Sequence, residues 1–407
     1  MADGTKNQAM QKLSPERALS VEQNALCDRV LQFCQDHIVS GNAVFVIKGD
    51  AGTGKSIVIN KIFNNIQKLS RGKDQTSVLS GTKNYLLVNH PEMIKLYRNI
   101  AENSSYVKKK DFERPTSFIN TMHKTGQVAD IVLVDEAHLL LTKSDKYKRF
   151  SQDNHLEEIL ECARVVVIVF DDKQVLKFKS HWTEEGLTEV LAQKHVQTVQ
   201  LQNQFRMHAG VQTLEWIEQF CKKTVLPVPH DPCFDIRFFE DAQELYTLVC
   251  QRNAEYGLSR MVATYDYPYR LDGQEHFVTE GRFHLKWDIA KPESRLPWAE
   301  RADTIGEVGS VYTVQGFDLN YVGLLLGPSV RYDARTDALV LDPARYEDSA
   351  AFAGRNGLAQ PEQTMERIML NAINVLMTRA VRGLYIYAHD PALRARLGQL
   401  QGSNTVG

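Results

Sequence analysis

The stretch Ala43-Val-Phe-Val-Ile-Lys-Gly-Asp-Ala-Gly-Thr-Gly-Lys-Ser-Ile-Val-Ile-Asn-Lys-Ile62 decides how this chain must fold. Its apolar start, Ala43 to Ile47, reads as a strand. Its end, from Ile57, reads as a helix. Between them lies the turn Gly49-Asp50-Ala51-Gly52-Thr53-Gly54-Lys55-Ser56. Strand, glycine-rich turn and helix N-terminus, in that order, make a phosphate-binding loop. Gly49, Gly52 and Gly54 reach backbone angles closed to other residues, so the loop can wrap a phosphate. Its N–H groups then point inward, reinforced by the helix N-terminus. Lys55 supplies a point charge for the β- and γ-phosphates of a nucleoside triphosphate, and the Ser56 hydroxyl fits Mg²⁺.

The chain has 407 residues, 43% hydrophobic and 24% charged, with a formal net charge of −2. Such a length allows roughly two or three domains. The near-zero charge makes no global case for nucleic-acid binding, so any such site must be a local groove. No apolar stretch is long enough to span a membrane, and the opening residues have no apolar leader core. A cytoplasmic location is expected. Cys27, Cys34, Cys162, Cys221, Cys233 and Cys250 form no C-x-x-C pair, which points to free thiols rather than disulfides or zinc.

Outward from the loop, apolar runs alternate with helical stretches. Ser20 is a plausible cap for a helix over 21–33. Strands are read at Tyr85–Val88, Ile131–Val134, Val165–Val169, Val199–Leu201, Ile236–Phe239, Met261–Ala263, Tyr321–Leu326 and Leu384–Tyr387. Runs apolar on both faces, alternating with helices, indicate parallel α/β sheets. Their number exceeds one ordinary sheet, so two α/β domains are expected. A flexible start over 1–15, domains over 16–190 and 191–397, insertions near 265–307 and 331–363, and a flexible tail over 398–407 are expected.

A second group of residues completes a catalytic reading. Ile131-Val-Leu-Val-Asp-Glu-Ala-His138 is an apolar strand ending in two carboxylates, at the sheet edge where ligands bind. Asp135 would hold Mg²⁺, and Glu136 would orient and deprotonate a water. Asp171 and Gln174, after another strand, could sense the γ-phosphate. Arg206 and Arg379 lie far downstream. An arginine from a second domain can stabilise a transferring phosphoryl group, an effect worth roughly 10³–10⁵ in rate.

In this order the pieces resemble the motif series of superfamily 1 helicases. Gln23 resembles the glutamine that reads the adenine edge. Residues 49–56 resemble motif I, and Asp135-Glu-Ala-His138 motif II. Thr121-Met-His123 resembles motif Ib, which touches the nucleic-acid strand. Asp171 and Gln174 fit motif III, with Phe170 in place of its glycine. Gln204 and Arg206 fit motif IV. Ser310-Val-Tyr-Thr-Val-Gln-Gly-Phe-Asp318 fits motif V, with Ser310, Tyr312 and Asp318 as substitutions. Thr378 and Arg379 fit motif VI. The resemblance implies two RecA-like P-loop NTPase domains with parallel sheets and an ATP site in the cleft between them. Gly316 and Asp318 then join Gln23 on the nucleotide side. Asn89, His90, Thr121, His123 and Tyr312 become candidate contacts to single-stranded DNA or RNA.

Val311–Pro328 and Val375–Tyr387 are also similar to the Schlafen-type DNA/RNA helicase domain family of bacteria. That similarity implies a phage-defence setting, with any nuclease or defence partner a separate protein. Two further segments stay open in the reading. Lys108-Lys-Lys110 is a basic run that is either solvated or strand-facing. Tyr265, Tyr267, Tyr269, Phe283, Trp287 and Trp298 are either core or base-stacking platforms.

Two activities fit these residues: an ATP-dependent translocase or helicase on a single strand, and an ATPase switch that closes on nucleic acid or a partner without processive movement. A P-loop kinase acting on a small molecule would explain neither the paired arginines nor Gln315-Gly316.

Overall fold

The computed structural model describes residues 13–14, 17–50, 52–102, 104–146, 149–201, 204–269, 274–288, 291, 294, 296–354 and 360–402. Ala51 lies outside the described residues, as do most of those read as a flexible start and the last five of the tail. The chain divides into two compact units, Ala9–Gln204 and Phe205–Gly407.

The first unit opens with α1 (Val21–His37), which Ser20 caps in a reciprocal box with Gln23. There follow β1 (Ala43–Gly49), α2 (Lys55–Arg71), β2 (Asn84–Val88), α3 (Pro91–Ala101), β3 (Phe112–Glu113), α4 (Pro115–Thr125), β4 (Ala129–Asp135), α5 (His155–Glu161), β5 (Ala163–Phe170), α6 (Glu184–Leu191) and β6 (His195–Leu201). The strands form one sheet in the order β3-β2-β4-β5-β1-β6. All its pairings are parallel. Its middle strands are runs of Val and Ile, residues that suit a pleated surface buried on both sides. Val132, Val134, Val166 and Ile168 pack there with Phe118, Met122, Ile159 and Trp182.

This order fixes the functional edge. Strand β5 lies between β1 and β4, with Lys48 beside Phe170 and Val134 beside Ile168. The loops leaving Gly49, Asp135 and Phe170 therefore emerge side by side at one C-terminal sheet edge.

The second unit contains α7 (Val211–Cys221), β7 (Asp235–Phe239), α8 (Ala242–Tyr256), β8 (Arg260–Ala263), β9 (Phe277–Glu280), β10 (Phe283–Trp287), β11 (Glu307–Gly309), α9 (Val311–Val314), β12 (Leu319–Leu326), β13 (Val330–Asp333), β14 (Ala338–Leu341), α10 (Pro361–Met377), β15 (Ala380–Ala388) and α11 (Pro391–Gly402). Its main sheet runs β7-β15-β12-β8-β11-β10-β9, with β13 and β14 as a separate hairpin. The pairings are parallel except for β9 with β10.

Several boundaries differ from the sequence reading. The expected divide near residue 190 moves to Gln204, because β6 pairs with β1 along its whole length. The 265–307 segment supplies β9 and β10 and so extends the sheet. Its aromatics are core rather than platforms: Tyr267, Phe283 and Trp287 are buried in one cluster, against which Tyr265 and Tyr269 pack. Trp298 is buried as well. The expected tail begins inside α11, where Leu397 and Leu400 are buried. At the other end, buried Leu13 accepts a hydrogen bond from Asn60 Nδ2, so the expected flexible start is anchored there. Lys108, Lys109 and Lys110 are exposed, and Lys109 pairs with Glu102. All six cysteine thiols are free. Among the described residues no helix is long and apolar enough to cross a membrane.

Candidate functional site

The loop after β1 has the shape its glycines allow. Gly52 and Gly54 take φ of +87° and +80°, and Gly54 caps α2 without a side chain. Gln23 lies against this turn. Its Nε2 donates to Thr53 O at 3.2 Å, and its Oε1 accepts from Ser20 N. A Cβ on Gly54 would stand 2.4 Å from Gln23 Nε2, so the glycine is needed for this close approach. Asp50 is exposed and pairs with Lys173 at 2.8 Å.

Lys55 is the first residue of α2 and is buried. Its ammonium donates to Gly49 O at 2.5 Å, Asp50 O at 2.7 Å and Asp171 Oδ2 at 3.0 Å. Gln174 Nε2 donates to the same Asp171 oxygen at 2.6 Å. Burial alone would raise the Asp171 carboxyl. Lys55, His138 and the Gln174 hydrogen bond reverse this and hold it below the usual carboxylate range.

Asp135 and Glu136 stand at the end of β4. Asp135 is fully buried. Its Oδ1 accepts from Ser56 Oγ at 3.4 Å and from Glu136 N at 3.0 Å, and its Oδ2 accepts from Tyr97 OH at 2.6 Å. Burial, followed by the charge of Glu136, pushes this carboxyl up to about 6 against the pull of those hydrogen bonds. Glu136 adopts φ +52° and ψ +48°, a left-handed backbone unusual for glutamate. Its Oε2 lies 3.0 Å from Nε2 of fully buried His138.

Ser56 and Asp135 bring hydroxyl and carboxylate oxygens together. Among the described residues no group of three or more His, Cys, Asp or Glu is placed to hold a metal ion. A pair of hard oxygens suits Mg²⁺, which keeps several waters and takes few protein ligands.

In the second unit, motifs far apart in sequence meet in one cluster. Arg206 Nε donates to Asp318 Oδ1, and its Nη1 to Thr378 O at 3.3 Å. Arg379 is 1% exposed; its Nε and Nη1 donate to Val375 O at 3.1 Å and Phe317 O at 3.4 Å. Gly316, with φ +85°, turns the chain between α9 and β12 and brings Asp318 to this cluster.

The candidate strand contacts divide. Thr121 and His123 are on the exposed side of α4, where Thr121 bonds back to Ser117 O and His123 Nε2 lies 2.8 Å from Glu158. The other three are held by bonds within the fold. His90 is buried, and its Nδ1 caps α3 by accepting from Met93 N. Asn89 is half-buried and donates to Leu139 O at 2.7 Å, bracing the turn after Glu136. Tyr312 is half-buried, gives its hydroxyl to Asp348, and meets the Tyr265 ring edge-on; it anchors the 310–318 turn.

Two contributors were not legible in the sequence. Tyr97 lies in the apolar pattern of α3 and reads as core; Lys173 reads as a surface charge. No local signal predicts their partners.

Among solved structures, the Pif1 helicase from Candida albicans aligns at 9% identity over 94% of this chain and 97% of that one, with a TM-score of 0.35. AMPPCP-bound DnaA from Aquifex aeolicus aligns at 17% identity over 52% of this chain and 55% of that chain, with a TM-score of 0.27. Both TM-scores are too low to establish a common fold. An uncharacterized protein of Saccharomyces cerevisiae, YPL245W, is 44% identical over 96% of this chain and 92% of its own length. Kinship with a fungal protein does not support the expected restriction to bacteria. The family model "Schlafen group 3, DNA/RNA helicase domain" matches residues 42–390, and this chain belongs to that family.

Proposed function

We propose that this protein is a Mg²⁺-dependent ATPase of superfamily 1 type that uses hydrolysis to move along single-stranded DNA or RNA. One observation carries the reading: Lys55, Ser56, Asp135 and Glu136 converge at one sheet edge, with Lys55 ion-paired to Asp171 and Ser56 bonded to Asp135.

The chemistry follows from what each group can do. Lys55 exchanges its oxygen acceptors for the β- and γ-phosphates. Ser56 and Asp135 would hold Mg²⁺, which when bound would neutralise phosphate charge. Glu136 orients a water and accepts its proton as the oxygen attacks the γ-phosphorus and the bond to ADP breaks. Asp171 and Gln174, sharing a hydrogen bond, register whether Lys55 is on phosphate or carboxylate. Gln23 faces the adenine. Arg206 and Arg379 are the candidate cations for the transferring phosphoryl group, and Asp318 and Gly316 lie beside Arg206 in the same cluster. Thr121 and His123 remain the exposed candidates for touching the strand.

Steady-state ATP hydrolysis, with and without single-stranded DNA and RNA, tests this directly. Stimulation by a strand, followed by duplex separation or displacement of a bound block, is expected. No stimulation by either nucleic acid would overturn the translocase. Stimulation without displacement would replace it with the strand-gated switch.

A further inference from the structure

In the second unit, the entry ends of β7, β12 and β15 and the last turn of α8 border a cavity of about 540 Å³. Arg252, Arg382, Tyr256, Tyr321 and His230 are among its lining residues. The arginines and tyrosines form an ordered stack. Arg382 lies over the Tyr256 ring at 5.1 Å. Arg252 lies over Tyr321 at 5.0 Å and Tyr256 at 6.0 Å, and the two rings are 5.3 Å apart. Gly383 makes room for this arrangement, since a Cβ there would come within 2.6 Å of Tyr321 Cδ1.

Charge at the cavity is unevenly committed. Asp231 accepts from Gly210 N, Thr213 Oγ1 and Cys233 N. Asp235 accepts from Arg237, Arg252 and the Tyr385 hydroxyl. Arg252 is held in turn by Tyr385, Glu255 and Asp235. Arg382 differs: it is exposed, and among the described residues its guanidinium has no hydrogen-bond or ion-pair partner. A fixed cation without a carboxylate selects an anion. Flat guanidinium and phenol faces beside it select a planar ring. The volume suits a ligand of nucleotide size.

The geometry points to a second nucleotide site: this cavity takes one nucleotide unit of a single strand, with phosphate at Arg382 and base against the Tyr256–Arg252 stack. This rests on the reading of the chain as a strand-dependent ATPase. A free nucleotide offers the same chemistry, so the experiment has two arms.

The first arm measures fluorescence anisotropy of labelled oligo-U and oligo-dT with wild type, Arg382→Glu and Arg382→Lys. Arg382→Glu is expected to weaken strand binding at least roughly tenfold and to lower the salt slope by about one. Arg382→Lys, which keeps the charge and loses the planar face, is expected to fall between. An unchanged melting temperature shows that the fold is intact. The second arm titrates AMP by calorimetry into Lys55→Ala protein, whose phosphate loop is disabled, with and without Arg382→Glu. AMP binding lost with Arg382→Glu, while strand binding is untouched, assigns the cavity to free nucleotide and overturns the strand. Strand and AMP binding both indifferent to Arg382→Glu overturns the site. A wild-type protein that binds no strand refutes the translocase reading instead, leaving the AMP arm to decide the cavity.

Discussion

Removing a single oxygen from Tyr97 tests the metal side of the site. Tyr97→Phe should keep the packing, because the ring is fully buried and stacked on Phe112, with centroids 5.5 Å apart and planes 8° apart. What disappears is the O–H that reaches Asp135 Oδ2 at 2.6 Å. A hydrogen bond to an ionised group contributes about 1.5–3 kcal/mol, which is roughly 10- to 150-fold in an equilibrium constant. Burial and the charge of Glu136 already push Asp135 up to about 6, and Tyr97 is among the groups that restrain it. Losing the donor raises that carboxyl further. The proton then competes harder with the cation. Binding of a fluorescent ATP analogue, titrated with Mg²⁺, reads the effect. Half-saturating Mg²⁺ is expected to rise roughly 10- to 100-fold, as for other residues that orient a metal ligand. Analogue binding in EDTA should stay unchanged, and the defect should be larger at about pH 6.5 than at about pH 8.5. A folded variant that binds the analogue with wild-type Mg²⁺ dependence at both pH values would refute Asp135 as a metal ligand held by Tyr97.

Glu136→Gln should retain ATP binding and lose hydrolysis by roughly 10²–10⁴-fold; comparable turnover in a single-turnover assay removes Glu136 from the base role. Arg379→Ala strips a buried side chain and leaves Val375 O and Phe317 O without its donors, so a loss of about 2–4 kcal/mol is expected in urea denaturation, contrary to a purely catalytic reading. Arg206→Ala and Asp318→Ala should each slow hydrolysis, and the double variant should be little worse than either; additive losses would show that Asp318 does not position Arg206. Asp266 is raised to about 6 by burial, above its ordinary 3.8, so its stabilising neutral form is complete below about pH 4 and lost as pH rises through about 6. Asp266→Asn stays neutral, and its unfolding free energy in urea should gain on wild type by up to roughly 3 kcal/mol between about pH 4 and pH 8; parallel stability curves would contradict the shift.

The parts legible in sequence were those that backbone physics dictates locally. The turn at 49–56 needs its glycines, and β4 and β5 are apolar throughout because both faces are covered. Strand β6 was legible as a strand but not as a member of the first sheet. His-Val-Gln-Thr-Val-Gln-Leu alternates in the manner of an edge, and no alternation says which sheet that edge belongs to. Strands β3 and β11 span two and three residues, too few for any period to show. The aromatics of 265–298 read either as core or as stacking platforms, because sequence does not show what their polar ends will meet. Folding supplies those partners, as where Tyr267 donates to Glu280 and Trp298 to Glu307.

Motifs name residue types; they do not say what those residues face before a ligand arrives. Here the three candidate phosphate-binding cations each face oxygen acceptors of their own unit. Lys55 holds two carbonyls and Asp171. Arg206 holds Asp318 and the Thr378 carbonyl. Arg379 holds two carbonyls. The exchange for phosphate is therefore unequal. A neutral carbonyl yields a donor to a multiply charged phosphate readily, because the new bond is charge-assisted at both ends. A carboxylate yields it only by leaving its own charge uncompensated, which is costly where the group is buried. Asp171 is buried and Asp318 only half-buried. The larger barrier thus falls on Lys55, where Gln174 remains bonded to Asp171 and stabilises the carboxylate once the ammonium leaves. On the proposed function, the Asp171–Gln174 pair would then govern how readily the glycine loop accepts a triphosphate.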